Sequence, residues 1–389
     1  MDNFVFQNPT KILFGKGTED QAGAECALWG KRALVHYGGG SVQKSGLLGR
    51  VLESLNKAGV QAIELSGVKP NPRLSLVRAG IEICRKNKIE VILAVGGGSS
   101  IDSAKAIAVG VPYSGDVWDF YTGKAQVKKA LPVGTILTLP AAGSESSSSS
   151  VITNEEGWFK KFVDTELIYP KFSILNPELA FTLPPFQVAC GAADILAHLM
   201  ERYFTNTKRV ELTDRLIEAT MKTIIRNIPL ALAEPTNYDA WAEVMWAGTI
   251  AHNNLLNTGR VGDWGSHMIE HELSGIYDVA HGAGLAVVFP AWLKHTLHQD
   301  PQRFVQFAVR VWNVDPQFFS PEKTALEGIA ELEAFFASIG LATRLKGLNI
   351  PLDRVSEMAD KCTKGNTVKV GNFVALGKSE VEKILRTAE

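Results

Sequence analysis

The sequence predicts an α/β N-terminal domain with a mainly parallel sheet (residues 1–183), followed by an all-helical C-terminal domain (residues 184–389). Three observations predict this. A chain of 389 residues is longer than one core ordinarily organises. Through Leu139, short apolar runs alternate with helical patterns, the signature of βαβ units. Beyond Leu183-Pro184-Pro185 only three- and four-residue apolar spacing remains.

The elements follow in order. Arg32 to Tyr37 (RALVHY) reads as a strand, and Ser41 to Ala58 as a helix with Val51, Leu52 and Leu55 on one face. Gln61 to Leu65 is a second strand, Leu74 to Arg85 a helix, Glu90 to Val95 (EVILAV) a third strand, and Ile101 to Val109 a helix. Gly134 to Leu139 is a further strand. Residues 141–161 break the alternation. Ala141 to Ser150, with Gly143 and the serines 146–150, reads as a loop over a cofactor face ahead of strand-like Val151-Ile152. After Pro184, the residues Val188, Ala192, Ile195, Leu196, Leu199, Met200 and Tyr203 mark one face of a long helix. More helices are expected around 209–227, 238–257, 263–275, 283–298 and 321–338.

Composition narrows the function classes. Hydrophobic residues make up 46% and charged residues 21%, as in ordinary globular proteins. Forty basic residues face 41 acidic ones without a basic run, which argues against a nucleic-acid surface. No apolar stretch approaches the ~20 residues needed to span a bilayer. The opening MDNFVFQNP has no basic leader ahead of an apolar core, so a cytoplasmic location is expected. Cys26, Cys84, Cys190 and Cys362 are scattered and form no C-x-x-C pair, as buried thiols in a reducing compartment would be.

Two glycine clusters follow strands. Gly96-Gly97-Gly98-Ser99-Ser100-Ile101-Asp102 sits between EVILAV and a helix. Consecutive glycines let backbone N–H groups approach a phosphate, and a helix N-terminus adds its positive end. Ser99 and Asp102 fit an S-x-x-D capping box. A tight strand–helix turn is the plainer alternative. The spacing is not G-x-G-x-x-G, so this is not the ordinary Rossmann fingerprint. Gly38-Gly39-Gly40-Ser41 follows RALVHY. One dinucleotide could span both turns. Where NAD-specific sites place an acid for the ribose, this chain has glycine with Ser41 and Lys44 beyond, which leans toward NADP.

A candidate metal constellation lies in the helical half. Asp194 and His198 are four apart, so a helix puts them on one face about 5–6 Å apart. His267 and His271 repeat the spacing, and His281 precedes Gly282-Ala283-Gly284. A polar pair of this kind is more often a helix-surface contact. Here Asp194 and His198 interrupt an apolar helix, where unpaired polar groups are costly and a cation would serve both. Three imidazoles and a carboxylate suit Fe(II), Zn(II), Co(II) or Ni(II) rather than Ca(II).

These residues together resemble the iron-containing (group III) alcohol dehydrogenases, a family sharing its fold with glycerol dehydrogenase and dehydroquinate synthase. The resemblance rests on FQNPTKILFGKG at the start, GGGSSID, TLPAAGSE, D-x-x-x-H and H-x-x-x-H with a later H-G-x-G, and it runs through nearly the whole chain. The segment YGGGS at Tyr37 to Ser41 is similar to the branch of NADPH- or NADH-linked butanol dehydrogenases and broad aldehyde reductases. The resemblance implies a dinucleotide-binding N-terminal domain and a metal-binding C-terminal one. It implies one divalent metal, Fe(II) or Zn(II), on Asp194, His198, His267 and His281, with His271 as a nearby proton relay. Gly38, Gly39, Gly40 and Ser41, with Gly96, Gly97, Gly98 and Ser99, would hold NADP or NAD. Asp102, Thr138, Leu139, Ser144, Ser147 and Lys160 would line its ribose and nicotinamide. Many relatives read A-T-G-S-E where this chain has Ala141-Ala142-Gly143-Ser144-Glu145, so Ala142 lacks a hydroxyl. The implied activity is hydride transfer with small alcohols or aldehydes such as butanol and butanal, by a homodimer joined through N-terminal strands, with no nucleic-acid or membrane partner. The rivals are a dehydroquinate-synthase-like lyase, a glycerol-dehydrogenase-like polyol oxidoreductase and a non-catalytic nucleotide binder. Trp246, Trp264, Phe120 and Phe289 are candidates for the substrate pocket.

Overall fold

The structure, a computed structural model, describes residues 1–389. The chain divides into two compact units. One comprises Gln7–Leu183 with Thr236–Thr249, the other Met1–Phe6, Pro184–Pro235 and Ile250–Glu389. The division thus falls at Leu183/Pro184, with two pieces exchanged relative to a single cut. Residues 1–6 belong to the helical unit because the terminal ammonium donates to the Lys208 carbonyl (2.9 Å), the Asp2 N–H to the Gly259 carbonyl (2.9 Å), and the Thr207 hydroxyl to Asp2 (2.7 Å). Most of the helix Tyr238–His252 belongs to the α/β unit. Trp246 meets Phe14 edge-on at 6.3 Å, and the Thr249 hydroxyl donates to Glu145 at 2.6 Å.

The α/β unit contains eight strands: β1 (Lys11–Phe14), β2 (Arg32–Tyr37), β3 (Gln61–Leu65), β4 (Val91–Gly97), β5 (Val133–Leu139), β6 (Ser149–Asn154), β7 (Phe159–Asp164) and β8 (Phe172–Leu175). Six form a parallel sheet in the order β1-β8-β5-β4-β2-β3, and β6 pairs with β7 as an antiparallel hairpin. Strands buried on both faces read as unbroken apolar runs. Val35, Leu93, Val95, Ile136 and Ile174 accordingly share one core with Val51 and Leu55 of the helix Leu47–Lys57. All neighbours in the sheet being parallel, the turns after β2, β4 and β5 lie at one edge. After β2 the chain adds β3 on one side and then returns to place β4 on the other. This reversal of strand order is where open α/β sheets bind ligands.

The structure revises several expected boundaries. The helix expected over Ser41–Ala58 is two, Ser41–Lys44 and Leu47–Lys57, divided at Gly46 with φ of 75°. The helix after β4 starts at Gly98, three residues early, and its N-cap is Gly97 with no side-chain cap. The Ser99/Asp102 capping box does not form, because the Asp102 carboxylate is engaged elsewhere. The short strands β1 and β8 and the helices Pro301–Trp312, Val355–Cys362 and Lys378–Thr387 escaped the sequence reading. No helix is long and apolar enough to cross a membrane. All four cysteines are free thiols.

His36 on β2 is a buried histidine with a structural role. Its Nδ1–H donates to the Leu65 carbonyl (2.9 Å), so Nε2 accepts from the Ser103 hydroxyl (2.8 Å). Burial pushes its pKa down from 6.5 to about 4. The folded state therefore holds the ring neutral while the unfolded chain protonates near 6.5. Its contribution to stability is complete above about pH 6.5 and is lost as pH falls toward 4, on the order of 2–3 kcal/mol. The thermal midpoint of the wild type should thus fall further than that of His36→Gln between about pH 7.5 and 4.5. Parallel curves would refute this account.

Candidate active site

The candidate site residues fall into two sets, one in each unit.

In the α/β unit, the turns after β2 and β4 carry the two glycine clusters. Gly96 has φ of 155°, a conformation side chains rarely adopt. A Cβ at Gly97 or Gly98 would lie 3.1 Å from the Cβ of Leu139 or Ala142, so part of the glycine requirement is close packing. The uncapped start of the helix Gly98–Gly110 presents its first backbone N–H groups without a side-chain acceptor from Gly97. Such a terminus attracts an anion. At Gly39, by contrast, an added Cβ would meet nothing within 4 Å.

The serine segment is buried rather than a solvated loop. Ser144, Ser146, Ser147 and Ser150 are all inaccessible, as is Lys105 of the helix Gly98–Gly110. The Lys105 ammonium donates to the carbonyls of Ser144 (2.6 Å), Ser147 (2.8 Å) and Ser149 (2.9 Å) and contacts the Ser144 and Ser147 hydroxyls at 3.0 and 3.3 Å. Asp102 accepts from the Ser144 hydroxyl on one oxygen (2.6 Å) and from the Val151 N–H on the other (3.0 Å). Burial pushes the Asp102 pKa up against the pull of Lys105, and pushes Lys105 down to about 8 against the pull of Asp102, Glu145 and Asp164. Ser144 and Ser147 are therefore joined through Lys105, and Asp102 to Ser144 directly. Lys160, on β7 opposite Thr153, is buried with its charge near Asp102. Thr138 and Leu139 end β5.

In the helical unit, Asp194 and His198 lie on the helix Pro185–Tyr203, His267 and His271 on Gly265–Tyr277, and His281 is the first residue of His281–Thr296. Donor atoms of Asp194, His267 and His281 lie within 4.8 Å of one another. His281 Nε2 is 3.9 Å from Asp194 Oδ1. His198 stands beside this trio, its Nδ1 3.5 Å from Asp194 Oδ1 and its ring 4.8 Å from that of His267. Gly282 permits this approach, since a Cβ there would fall 1.9 Å from the Cys190 carbonyl, one turn before Asp194. Burial, with the neighbouring imidazoles and Arg202, holds the His198 pKa well below 6.5, so its ring is a neutral donor. His267 Nε2 is buried without a hydrogen-bond partner. An orphaned ring nitrogen facing a carboxylate and a second imidazole fits a divalent cation.

His271 is buried with its ring 5.6 Å from that of His281. Trp264 packs edge-on to His267 at 5.3 Å. The other pocket candidates divide. Phe289 is a fully buried core residue against Trp292, Phe120 packs on Tyr113, and Trp246 is 44% exposed. Three residues that the sequence did not single out adjoin these sites: Lys105, Arg202 and His252. The fully buried Arg202 donates to the His198 carbonyl (2.8 Å) and to His252 Nδ1 (3.0 Å) and lies 4.8 Å over the Trp264 ring. The His252 ring is 4.3 Å from that of His198. A charged residue inside an otherwise apolar helix was the available signal for Lys105.

Comparison with known proteins follows the same division. Residues 9–177 match the model of the iron-containing alcohol dehydrogenases, and residues 188–389 match that of the C-terminal part of the same family. The chain belongs to the iron-containing alcohol dehydrogenase family. It is 44% identical to the probable NADH-dependent butanol dehydrogenase 1 of Bacillus subtilis over 100% of both chains. It is 36% identical to the NADPH-dependent aldehyde reductase YqhD of Escherichia coli over 95% of each. The crystal structure of NADH-dependent butanol dehydrogenase A from Thermotoga maritima superposes with a TM-score of 0.96 at 40% identity, covering 100% of this chain and 99% of that one.

Proposed function

We propose that this chain, an oxidoreductase of the alcohol dehydrogenase class, moves hydride between NAD(P)(H) and small primary alcohols or aldehydes such as butanol and butanal. One divalent cation, Fe(II) or Zn(II), is held by Asp194, His198, His267 and His281. The observation that carries this reading is the buried, partnerless Nε2 of His267 beside the donor atoms of Asp194 and His281. The names of the relatives support the substrate class. When bound, the cation supplies Lewis acidity to an alcohol or carbonyl oxygen.

The chain's own residues do the rest. Backbone N–H groups at Gly97, Gly98 and Ser99 cradle the pyrophosphate, and the Gly38–Ser41 turn takes the adenosine ribose. Thr138, Leu139, Ser147 and Lys160 border the nicotinamide, Ser147 on the segment that the Lys105 ammonium holds. His271, one turn beyond His267, carries the proton to or from the substrate oxygen, a task suited to imidazole near neutral pH. Relatives use NADH in some cases and NADPH in others. The open space at Gly39, with no acid to hold a 2′-hydroxyl, supports NADP here. A homodimer joined through β1 accords with that strand's position at the sheet edge and with Phe14, 40% exposed.

The test follows reduced-nicotinamide absorbance with NADPH or NADH against a panel of short aldehydes, using metal-free protein and protein loaded with Fe(II) or Zn(II). The expected result is oxidation of one nicotinamide per aldehyde, only in the loaded protein, with a higher kcat/KM for NADPH. Product formed with no net absorbance change would replace this reading with redox-neutral lyase chemistry.

A further inference from the structure

The four residues assigned to the cation do not explain how two of its histidines come to present the right nitrogen. A neutral imidazole carries one N–H and one lone pair, and whichever nitrogen keeps the proton cannot bind a metal. We propose that two buried glutamates outside the donor set, Glu201 and Glu270, are positioning residues of the metal centre. Each accepts the Nδ1–H of one histidine and so commits that ring's Nε2 to the cation. The proposal rests on the four-residue reading above.

Glu201 is fully buried, three residues after His198 on the same helix. It accepts four hydrogen bonds from the start of the helix that carries His267. These come from the Trp264 N–H (2.5 Å), the Ser266 hydroxyl (2.5 Å), the His267 N–H (3.2 Å) and His267 Nδ1 (2.7 Å). A carboxylate only accepts, so Nδ1 bears the proton and the lone pair is on Nε2, the nitrogen found buried without a partner. The same carboxylate takes up backbone N–H groups that a helix start leaves unpaired, which ties the first turn of the His267 helix to the helix of Asp194 and His198.

Glu270 does the same for His281. It is fully buried, and its two oxygens accept from the Ser274 hydroxyl and from His281 Nδ1. His281 Nε2 then faces Asp194 Oδ1 at 3.9 Å. Glu270, His271 and His281 are close enough to be read as a second metal cluster. The two bonds on Glu270 argue otherwise: it acts through His281. Gly284 makes room for this arrangement, because a Cβ there would lie 2.6 Å from Glu270 Oε1. The second glycine of H-G-x-G thus serves the carboxylate behind the histidine. A carboxylate on the far nitrogen both fixes the ring and raises its basicity as a ligand, and loss of such a partner ordinarily costs 10–100-fold in metal affinity.

The experiment titrates chelator-stripped, full-length protein with Co(II), reading affinity and the ligand-field spectrum, for the wild type, Glu201→Gln, Glu270→Gln and Asp194→Ala. Glutamine keeps the volume and one acceptor oxygen but removes the negative charge behind Nδ1 and turns the second acceptor into a donor. The expected result is an affinity about 10–100-fold weaker in each glutamine variant, with an altered spectrum. Wild-type affinity and spectrum in both would overturn the proposal while leaving the four-residue site intact. Wild-type protein whose Co(II) binding is indifferent to Asp194→Ala would overturn the site itself. Should the glutamine variants not fold, nitrogen NMR of the Zn(II)-loaded wild type with labelled histidine decides. Protonated Nδ1 with metal-bound Nε2 at His267 and His281 supports the proposal, and metal-bound Nδ1 at either one refutes it.

Discussion

Replacing His267 with alanine should lower turnover roughly a thousandfold or more and remove most of the bound metal in the same step. The side chain lies among the donors proposed above, its ring 4.8 Å from that of His198 and 5.4 Å from that of His281, and its Nε2 is buried without a hydrogen-bond partner. Alanine leaves at most three donors and a void that water enters. A Lewis acid at the reacting oxygen supplies several kcal/mol of transition-state stabilisation, and about 4 kcal/mol is roughly a thousandfold in rate. Metal content by elemental analysis and kcat measured on one preparation provide the check. Full retention of both would end the ligand assignment. Loss of turnover with metal retained would move His267 from ligand to proton carrier.

Lys105→Met should be the most destabilising single change in the α/β unit. Methionine matches the length of the lysine stem but leaves the carbonyls of Ser144, Ser147 and Ser149 facing no donor, and Asp102 without its cation. Breaking a buried charged arrangement by removing one partner costs about 3–5 kcal/mol. In a unit of this size that is a drop of roughly 6–20 °C in its thermal midpoint. Calorimetry of the two variants side by side distinguishes the cases: Lys105→Met should shift an unfolding transition that His267→Ala leaves in place. An unchanged profile for Lys105→Met would show that water satisfies those carbonyls and that the ammonium is dispensable.

The parts of the molecule legible in the sequence are those where one physical requirement dominates a stretch of residues. Strands β2, β4 and β5 lie inside the sheet, and burial on both faces writes them as apolar runs. Strands β1 and β8 are four residues each, too short to show a period. The division at Gly46 was hidden because Leu47, Val51 and Leu55 keep four-residue spacing immediately beyond it, and a single glycine is tolerated within a helical pattern. The D-x-x-x-H pair was visible because it interrupts an apolar helix. Glu201 and Arg202 stand at the end of that helix, where charges are ordinary, and the histidines they bond, His267 and His252, are 66 and 50 residues away in sequence. The serine run shows the limit most clearly. Five adjacent serines have the same composition whether water surrounds them or a buried ammonium does, and only the fold says which.

The vacant volume at Gly39 bears on how coenzyme preference could change over generations. Half of the glycine codons differ from an aspartate codon by a single base. Gly39 is not among the positive-φ glycines, and a Cβ placed there meets no atom within 4 Å. A carboxylate could therefore arise by one transition, with no rearrangement of the surrounding turn, and would repel a 2′-phosphate while accepting from a 2′-hydroxyl. On the assignment proposed above, an NADPH-linked and an NADH-linked lineage of this enzyme stand one nucleotide apart.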